Sequence, residues 1–385
     1  MKHYKVIIIG AGASGVMCAL QTKQKDIAII DKNTKPLKKV LVTGNGRCNL
    51  TNLNLTSKNY NQNIDKFLLK FNEKNTLKFF EEIGLETFAD EENRVYPISN
   101  SSKSVTDVLM QKLNKKADLI LGQSVEDVEK TQDGFVVKTD IESFSCEKLV
   151  VSTGGNSVEN IFKNLNIKYK NFYPSLVALK SKDVKDLNGV KVSNVLVSAT
   201  NNKGETKKEK GEVLFKDGGL SGIVIFNLSS IFARNCNFKG LIQIDLLPDL
   251  SRNQLVEKLE KRKSLNVNLD KFFVGMFQNS IANEIFKQTK INTNINSQKL
   301  NSEQISLLVN TIKNLKFEVY DYFDNNQIHS GGVSLSSLDE NLMSKQINNL
   351  YFTGEVCDVD GDCGGFNLQW AWTSGFIVGD NLWLN

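Results

Sequence analysis

Glycines at positions 10, 12 and 15 form a G-x-G-x-x-G pattern near the start of the chain. They follow a β-branched run and precede a small-residue segment, which places the pattern on a predicted strand-to-helix turn. There the first glycine permits the tight turn, the second lets backbone N–H groups approach a pyrophosphate, and the third allows close packing of helix on strand. Asp31 follows 21 residues after Gly10, at the end of the next β-branched run, where it can accept hydrogen bonds from a ribose. The arrangement predicts a dinucleotide-binding βαβ unit.

Three further glycine clusters bear on which dinucleotide is bound. They are "TGNGRC" at residues 43–48, "VVSTGG" at 150–155 and the long segment "TGEVCDVDGDCGGFNLQWAWTSG" at 353–375. Arg47 in the first cluster suits a phosphate or ribose through its planar guanidinium, although a plain Asn-Gly turn with a solvated arginine has the same sequence. A nicotinamide cofactor usually occupies one compact domain, whereas an extended flavin draws contacts from distant parts of the chain. The βαβ pattern alone leaves both cofactors open.

The C-terminal cluster combines glycines with an apolar helix. Gly364 and Gly365 precede a segment that is apolar on nearly every side, which predicts a buried helix beginning near Asn367. The two glycines let backbone N–H groups approach a flat ring closely, and the positive end of the helix dipole points towards it. Gly375 and Gly379, one turn apart, permit tight packing against a neighbouring helix. This segment therefore predicts a second half of the cofactor site.

Length and composition narrow the class of protein. At 385 residues the chain is long enough for one large domain interrupted by an inserted one. The net charge is +5, from 48 basic and 43 acidic residues spread along the chain, so nucleic-acid binding is not indicated. The apolar N-terminal run is punctuated by the phosphate-binding glycines and no later run reaches transmembrane length, so we expect a cytoplasmic protein without a membrane partner.

Cysteines and histidines offer little catalytic or metal-binding chemistry. Six cysteines contain no C-x-x-C pair and there are two histidines, so we expect no metal site. Cys357 and Cys363 lack the spacing of a redox disulfide and are interpreted as incidental thiols in a reducing compartment. His329 can be read as a proton donor at a flavin or as an ordinary loop histidine, and we assign no catalytic acid.

The remaining patterns outline an interrupted α/β domain. After the βαβ unit come predicted helices near residues 75–83 and 104–113, and three strand-like runs between 118 and 151. From about residue 181 short strands are predicted, including one over 222–230, and helices follow between 251 and 316. We therefore predict a cofactor domain from residues 1–180 and 319–385, interrupted by a β-rich and helical insertion at 181–318.

Several motifs in order along the chain resemble one family. They are "VIIIGAGASG", "KKVLVTGNGRCNLTN", "VVSTGG", "PSLVAL", "SGGVSL" and "LYFTGEVCDVDGDCGGFNLQWAWTSG". These look like the signatures of the HI0933-like flavoproteins, FAD-dependent oxidoreductases also known as aminoacetone oxidase family or BaiN-like proteins. The resemblance implies FAD as cofactor and a glutathione-reductase-type, Rossmann-like α/β domain with an inserted β-barrel-like and helical subdomain.

The resemblance also implies positions for the FAD site. Ser14 and Asp31 would contact the adenosine half, the Val125 backbone would meet the adenine, Glu355 would bind the ribitol, and Asn367 and Leu368 would lie at the flavin ring. Together with the glycine clusters, the predicted cofactor-binding residues are Gly10, Gly12, Ala13, Ser14, Gly15, Asp31, Lys32, Lys39, Gly46, Arg47, Cys48, Asn49, Val125, Thr153, Gly154, Gly155, Gly354, Glu355, Gly364, Gly365, Phe366, Asn367 and Leu368.

Two departures from the family pattern concern the substrate rather than the flavin. The segment after Gly155 is shortened, and Lys216, Asp217 and Ile223 stand where relatives commonly carry Thr, His and Pro. We expect an oxidoreductase that transfers a hydride between flavin N5 and a small organic substrate, with NAD(P)H as a candidate transient reductant. A flavin-dependent RNA-modifying enzyme and a non-catalytic flavin-binding protein are the alternatives. The direction of the reaction and the oligomeric state stay open.

Overall fold

The computed structural model describes residues 1–155, 159–324 and 328–383. Two compact units are present: Met1–Tyr173 with Ile328–Asn385, and Pro174–Gln327. The predicted limits of the insertion, residues 181 and 318, fall inside the second unit.

The helices and strands are numbered separately in chain order. The helices are α1 (Ala13–Gln21), α2 (Lys38–Val42), α3 (Asp65–Leu68), α4 (Glu73–Glu82), α5 (Ser102–Leu113), α6 (Glu159–Asn164), α7 (Ile223–Ala233), α8 (Arg252–Arg262), α9 (Asn279–Thr289), α10 (Ser302–Ile312) and α11 (Phe366–Asn381). The strands are β1 (Lys2–Ile9), β2 (Ile27–Asp31), β3 (Thr51–Asn52), β4 (Thr87–Ala89), β5 (Arg94–Pro97), β6 (Asp118–Leu121), β7 (Val125–Lys130), β8 (Phe135–Thr139), β9 (Ser143–Val151), β10 (Lys170–Ser175), β11 (Leu179–Lys180), β12 (Lys191–Asn201), β13 (Thr206–Lys216), β14 (Gly219–Ser221), β15 (Gly240–Asp245), β16 (Leu315–Val319), β17 (Asp321–Tyr322), β18 (Ile328–Gly332) and β19 (Leu350–Phe352).

A parallel sheet forms the centre of the first unit, in the order β6-β2-β1-β9-β19. The C-terminal halves of β1 and β9 and the first four residues of β2 are continuously buried and almost entirely apolar, as expected of strands covered on both faces. The hairpin of β7 and β8 adds to the N-terminal part of β9 in antiparallel fashion. Between residues 118 and 151 there are thus four strands, one more than the sequence runs indicated, and the unit has the predicted Rossmann-type α/β architecture.

Helices α1 and α11 pack closely through small residues of α11. A Cβ on Gly379 would lie 2.5 Å from the Cys18 carbonyl oxygen, and one on Gly375 would meet the Ser14 carbonyl oxygen. This confirms the prediction of tight helix packing at these two glycines. The contact holds the first helix of the chain against the last one, so the two ends of the sequence share one core.

The second unit contains an antiparallel sheet in the order β16-β15-β12-β13-β14-β11-β17, together with helices α7 to α10. The prediction of a strand over residues 222–230 is wrong, because this segment forms helix α7. Its run "IVIFNLSSIFA" is predominantly apolar, and periodicity cannot distinguish a mostly buried helix from a buried strand in such a run. Gly222, with a φ of 106°, ends the preceding strand segment and begins the helix.

Candidate cofactor site

The carboxyl ends of four parallel strands meet at one edge of the sheet. The register pairs Ile9 with Ile30 and with Val151, and Val151 with Phe352. The residues that follow each strand therefore lie side by side, and open parallel sheets bind ligands at this edge. A pocket here is lined by predicted residues of four segments: Gly10, Asp31, Lys32, Val125 and Thr153. The structure thus brings together residues that are more than a hundred positions apart.

Gly10 allows the loop after β1 to approach the loop after β9 closely. Its φ is 109°, a conformation that favours glycine, and a Cβ would lie 2.5 Å from the Ser152 carbonyl oxygen. Gly12 follows as the residue before α1, with open space around its Cα, so the helix N-terminus is left accessible. Ala13, Ser14 and Gly15 form the first turn of α1, as predicted.

Asp31 fixes the shape of this loop. Its Oδ2 accepts a hydrogen bond from the Ala11 N–H at 2.7 Å, and its Oδ1 accepts from the Asn33 backbone and side chain at 2.7 and 2.9 Å. A carboxylate has about four acceptor positions, so these bonds leave room for a ribose hydroxyl. Asp31 lies at the wall of the pocket, where the sequence places the adenosine half of a dinucleotide.

Glu355 is held from two sides by residues far away in the sequence. Lys39 Nζ lies 2.6 Å from its Oε2, and the His329 backbone N–H and Nδ1 lie 2.7 and 2.8 Å from its Oε1. Burial would raise the pKa of the Glu355 carboxyl, but the positive charge of Lys39 and then the contacts with His329 outweigh it and lower that pKa to about 2. Glu355 is therefore an ionised carboxylate at neutral pH. Its side chain is 17% exposed, and a Cβ on Gly154 would lie 3.7 Å from its Oε2.

Helix α11 sets the position of Glu355 through the preceding residue. Trp370 Nε1 donates to the Gly354 carbonyl oxygen at 3.0 Å, and the Gly354 N–H donates to Ser374 Oγ at 2.8 Å. Gly354 also packs on Ser14, because a Cβ there would lie 2.5 Å from Ser14 Oγ. The peptide before Glu355 is thus fixed between the last helix and the first one.

The N-terminus of α11 is preceded by two glycines with positive φ, Gly364 at 126° and Gly365 at 97°. A Cβ on Gly365 would lie 2.6 Å from the Thr51 carbonyl oxygen and 2.7 Å from Asn49 Oδ1. Asn49 is buried, and its Oδ1 has no hydrogen-bond partner among the described residues. The first-turn N–H groups of Phe366, Asn367 and Leu368 precede the first helical hydrogen bond, from the Gln369 N–H to the Gly365 carbonyl oxygen. The N–H groups of this first turn and the buried Asn49 Oδ1 together offer donors and an acceptor that fit the polar edge of a flavin ring.

The side chains of this segment mainly build the loop. Asn367 Oδ1 accepts from the Gly361 N–H at 2.9 Å, and its Nδ2 donates to the Gly361 carbonyl oxygen at 2.8 Å. Phe366 packs edge-on against Tyr60, whose hydroxyl donates to the Phe366 carbonyl oxygen at 2.8 Å. Asn367 would therefore meet a ligand through its backbone, and Leu368 lies half-buried one position further along.

The loop at residues 43–49 contributes residues of different kinds. The Arg47 guanidinium lies 4.5 Å from the centre of the Tyr96 ring and is exposed, so it remains accessible to a ligand. Gly46 has a φ of 80° and open space around it. Cys48 is buried, and burial raises the pKa of its thiol to about 12, so it can contribute packing but not a thiolate.

The remaining predictions concern Gly155, two cysteines, the segment after Gly155, metal sites and membrane-spanning helices. Gly155 lies against the His329 ring. Neither Cys357 nor Cys363 forms a disulfide bond with another of the described residues, and burial raises the pKa of the Cys357 thiol. Residues 156–158, in the shortened segment after Gly155, lie outside the described residues. Within the described ranges, no group of three or more His, Cys, Asp or Glu side chains is placed to hold a metal ion, and no helix is long and apolar enough to cross a membrane.

Sequence reasoning missed the part that three residues play here. Trp370 lies in the segment predicted as a buried helix, Ser374 is given no role by the sequence, and His329 is not assigned one, yet all three determine where Glu355 lies. The available signal was the position of His329 directly before the "SGGVSL" motif. For Trp370 and Ser374 the sequence carried no signal, because their bonds to Gly354 depend on how α11 is rotated in the core.

Comparison with known proteins identifies the family. The profile described as HI0933-like protein Rossmann domain matches residues 4–381. The chain belongs to this family. Membership confirms the resemblance seen in the motifs and implies a flavin cofactor and an oxidoreductase activity.

Individual relatives span nearly the whole chain. A 3-dehydro-bile acid delta(4,6)-reductase of Clostridium scindens is 29% identical, covering 97% of this chain and 98% of the relative. A ribosomal RNA dihydrouridine synthase of Escherichia coli is 26% identical, covering 99% and 98%. The structure of a 3-ketosteroid delta1-dehydrogenase from Sterolibacterium denitrificans aligns over 99% of both chains with a TM-score of 0.51 at 12% identity, which supports the fold alone.

Proposed function

We propose that this protein is an FAD-dependent reductase that saturates a carbon–carbon double bond conjugated to a carbonyl group. The names of the two curated relatives describe this chemistry on different molecules. A delta(4,6)-reductase of a 3-dehydro-bile acid saturates double bonds in conjugation with a 3-oxo group, and a dihydrouridine synthase saturates the ring double bond of uracil beside its carbonyl. The reductive direction is therefore favoured over the oxidative one.

The observation that carries the proposal is the meeting of two half-sites in the first unit. The glycine loop, Asp31 and Val125 surround the pocket at the sheet edge, while Glu355 and the α11 N-terminus come from the other end of the chain. Such a site suits an extended dinucleotide whose two ends are bound by different parts of the sequence. FAD, when bound, supplies the hydride chemistry at its isoalloxazine ring.

The chain's own groups then have distinct tasks. The α1 N-terminus and Gly12 present backbone donors suited to a pyrophosphate, and Glu355 presents an ionised acceptor suited to the ribityl hydroxyls. The backbone donors at the start of α11, with the positive end of its dipole, would stabilise negative charge on a flavin bound there. No side chain of the described residues is assigned as the proton donor to substrate.

The substrate and the reductant complete the proposed reaction. Saturating one double bond consumes a hydride and a proton, so one NAD(P)H is oxidised to NAD(P)⁺ for each bond reduced. We propose NAD(P)H as a transient reductant and a small organic enone as substrate. The second candidate substrate is a uridine in ribosomal RNA, favoured by the dihydrouridine synthase that matches 99% of this chain.

Anaerobic titration of the FAD-loaded protein tests the proposal. We expect NADPH or NADH to bleach the flavin absorbance. A steroid 4,6-dien-3-one should then reoxidise the flavin in the absence of oxygen. A protein that takes up no FAD, or a reduced flavin that only oxygen reoxidises, would contradict the proposed reductase.

A cellular experiment distinguishes the two substrates. The chain would be expressed in an Escherichia coli strain that lacks its ribosomal RNA dihydrouridine synthase, and dihydrouridine in digested ribosomal RNA would be measured by mass spectrometry. Restored dihydrouridine supports the RNA substrate. Its absence, together with dienone reduction in vitro, supports the small molecule.

A further inference from the structure

His329 makes two contacts with one oxygen of Glu355. Its backbone N–H lies 2.7 Å and its Nδ1 2.8 Å from Oε1, while Lys39 Nζ lies on the other oxygen, Oε2. Both oxygens of the carboxylate are therefore contacted by a donor. The two contacts differ in burial, because the Lys39 side chain is 53% exposed and that of His329 only 11%. The contact with His329 is the more buried of the two.

The chemistry of Glu355 fixes the state of the imidazole ring. An ionised carboxylate has no proton to give, so the short Nδ1 contact requires that Nδ1 carries the hydrogen and donates it. In the neutral ring the other nitrogen, Nε2, is then the acceptor. His329 therefore presents a donor to Glu355 in both of its protonation states.

Packing determines the orientation of the ring. The Gly155 Cα lies against it, since a Cβ there would be 2.6 Å from His329 Cβ, Cγ and Nδ1. On another side Phe172 stands perpendicular to the ring at 6.5 Å between centroids. Strand β18, which carries His329, pairs with β10. The donor is consequently aimed at Glu355 by backbone elements and not by the carboxylate alone.

We propose that His329 is a positioning residue that holds the Glu355 carboxylate in the orientation that binds the ribityl hydroxyls of FAD. The inference rests on the proposed function, in which Glu355 is a cofactor ligand. The consequence is that cofactor retention depends on a hydrogen-bond donor at the position of His329 Nδ1. Lys39 contributes charge from the solvent side and can be exchanged with less effect on retention.

The test uses two substitutions that differ in where they place a donor. In His329→Asn the amide nitrogen can occupy the position of Nδ1, and in His329→Leu the donor is lost with similar bulk. We expect His329→Leu to weaken FAD binding about tenfold, measured by quenching of flavin fluorescence, and His329→Asn to stay within about threefold of the unmodified protein. His3→Leu, at the exposed histidine on the surface of the same unit, is the matched control and should not change the affinity.

A double-mutant cycle separates positioning from general damage. In the Glu355→Gln background, His329→Leu should weaken FAD binding much less than tenfold, because its partner has already been changed. Equal affinity for His329→Leu and unmodified protein would overturn the inference. So would equally weak binding by His329→Asn and His329→Leu, or a full tenfold effect in the Glu355→Gln background.

One measurement needs no variant that might unfold. Nitrogen-15 NMR of histidine-labelled protein should show a proton on His329 Nδ1, whether the ring is neutral or charged, and signals of the neutral tautomer with its proton on Nε2 would overturn the inference. If the unmodified protein takes up no FAD at all, the proposed function fails. If it binds FAD but the His329 variants bind equally well, only the positioning role fails.

Discussion

The two halves of the cofactor site are built in different ways. The N-terminal half, from Gly10 to Asp31, is formed by one continuous βαβ segment whose internal contacts, such as Asp31 with Ala11, span about twenty residues. The C-terminal half is assembled around Glu355 by Lys39 and His329, and Lys39 lies 316 positions away. Local contacts leave a regular spacing in the sequence, whereas contacts between distant segments do not. The first half can therefore be recognised from spacing, and the second depends on how the domain closes.

The N-terminal half should be destabilised by a single added carbon at Gly10. Gly10→Ala puts a Cβ 2.5 Å from the Ser152 carbonyl oxygen at a φ of 109°, so we expect a loss of about 3 kcal/mol in the free energy of unfolding. Urea denaturation measures this loss. Gly12→Ala, with nothing within 4 Å and an ordinary φ of −81°, is the control and should cost under about 1 kcal/mol. Equal losses would contradict the close approach.

The C-terminal half should show its electrostatic character in a pH dependence. Glu355→Gln removes the charge that pairs with Lys39 and His329, and we expect a loss of about 2 kcal/mol in unfolding free energy at pH 7. The pKa of Glu355 is lowered from 4.5 to about 2 in the folded protein, so its contribution is complete above pH 4.5 and is lost as the pH falls towards 2.

The difference between the unmodified protein and Glu355→Gln should therefore be smaller at pH 3.5 than at pH 7. Urea unfolding at both pH values, in the same buffer salt, measures it. A difference that stays constant between these pH values would show that Glu355 is not held as an ionised partner.

The dependence of the C-terminal half on α11 can be tested at one hydrogen bond. Trp370→Phe keeps an aromatic ring but removes the donor to the Gly354 carbonyl oxygen, and should cost about 1–2 kcal/mol and weaken FAD binding several-fold. Thermal unfolding and flavin fluorescence measure the two effects. Trp383→Phe, at a 43% exposed tryptophan beyond the helix, is the control for loss of an indole and should leave both unchanged.

The smallest effect should come from the exposed side of Glu355. Lys39→Met removes an ion pair whose lysine is 53% exposed, so we expect a loss of about 0.5 kcal/mol that shrinks further at high salt. Chemical denaturation at low and high salt measures both values. Lys38→Met, at the neighbouring exposed lysine, should have no measurable effect. A larger loss than for Trp370→Phe would reverse the ranking of the two sides.

The sequence predicted the fold well where spacing and composition carry the information. Strand β2 ends at Asp31 as predicted, helix α1 begins directly after the first two glycines of the pattern, and the apolar C-terminal segment forms helix α11. The prediction for residues 222–230 failed because a predominantly apolar run fits either a buried strand or a buried helix. The choice between them was made by the sheet of β12 and β13 against which α7 packs.

The site was predicted at the level of motifs but not of partners. The glycine clusters around Gly154, Gly354 and Gly364 indicated where the backbone approaches a ligand, and these positions remain predictions for FAD contacts. The partners of Glu355 could not be predicted. No spacing or motif in the sequence relates a lysine in α2 or a histidine in β18 to a carboxylate after β19.

By itself the sequence determined the family, the Rossmann-type fold and the segments that form the glycine loops, because these depend on residue types at fixed short spacings. Only the tertiary structure decided that Lys39 and His329 hold Glu355 and that Trp370 and Ser374 fix Gly354. The physical reason is that the register of four parallel strands brings their ends to one edge, and the packing of α11 on α1 then sets which side chains reach it.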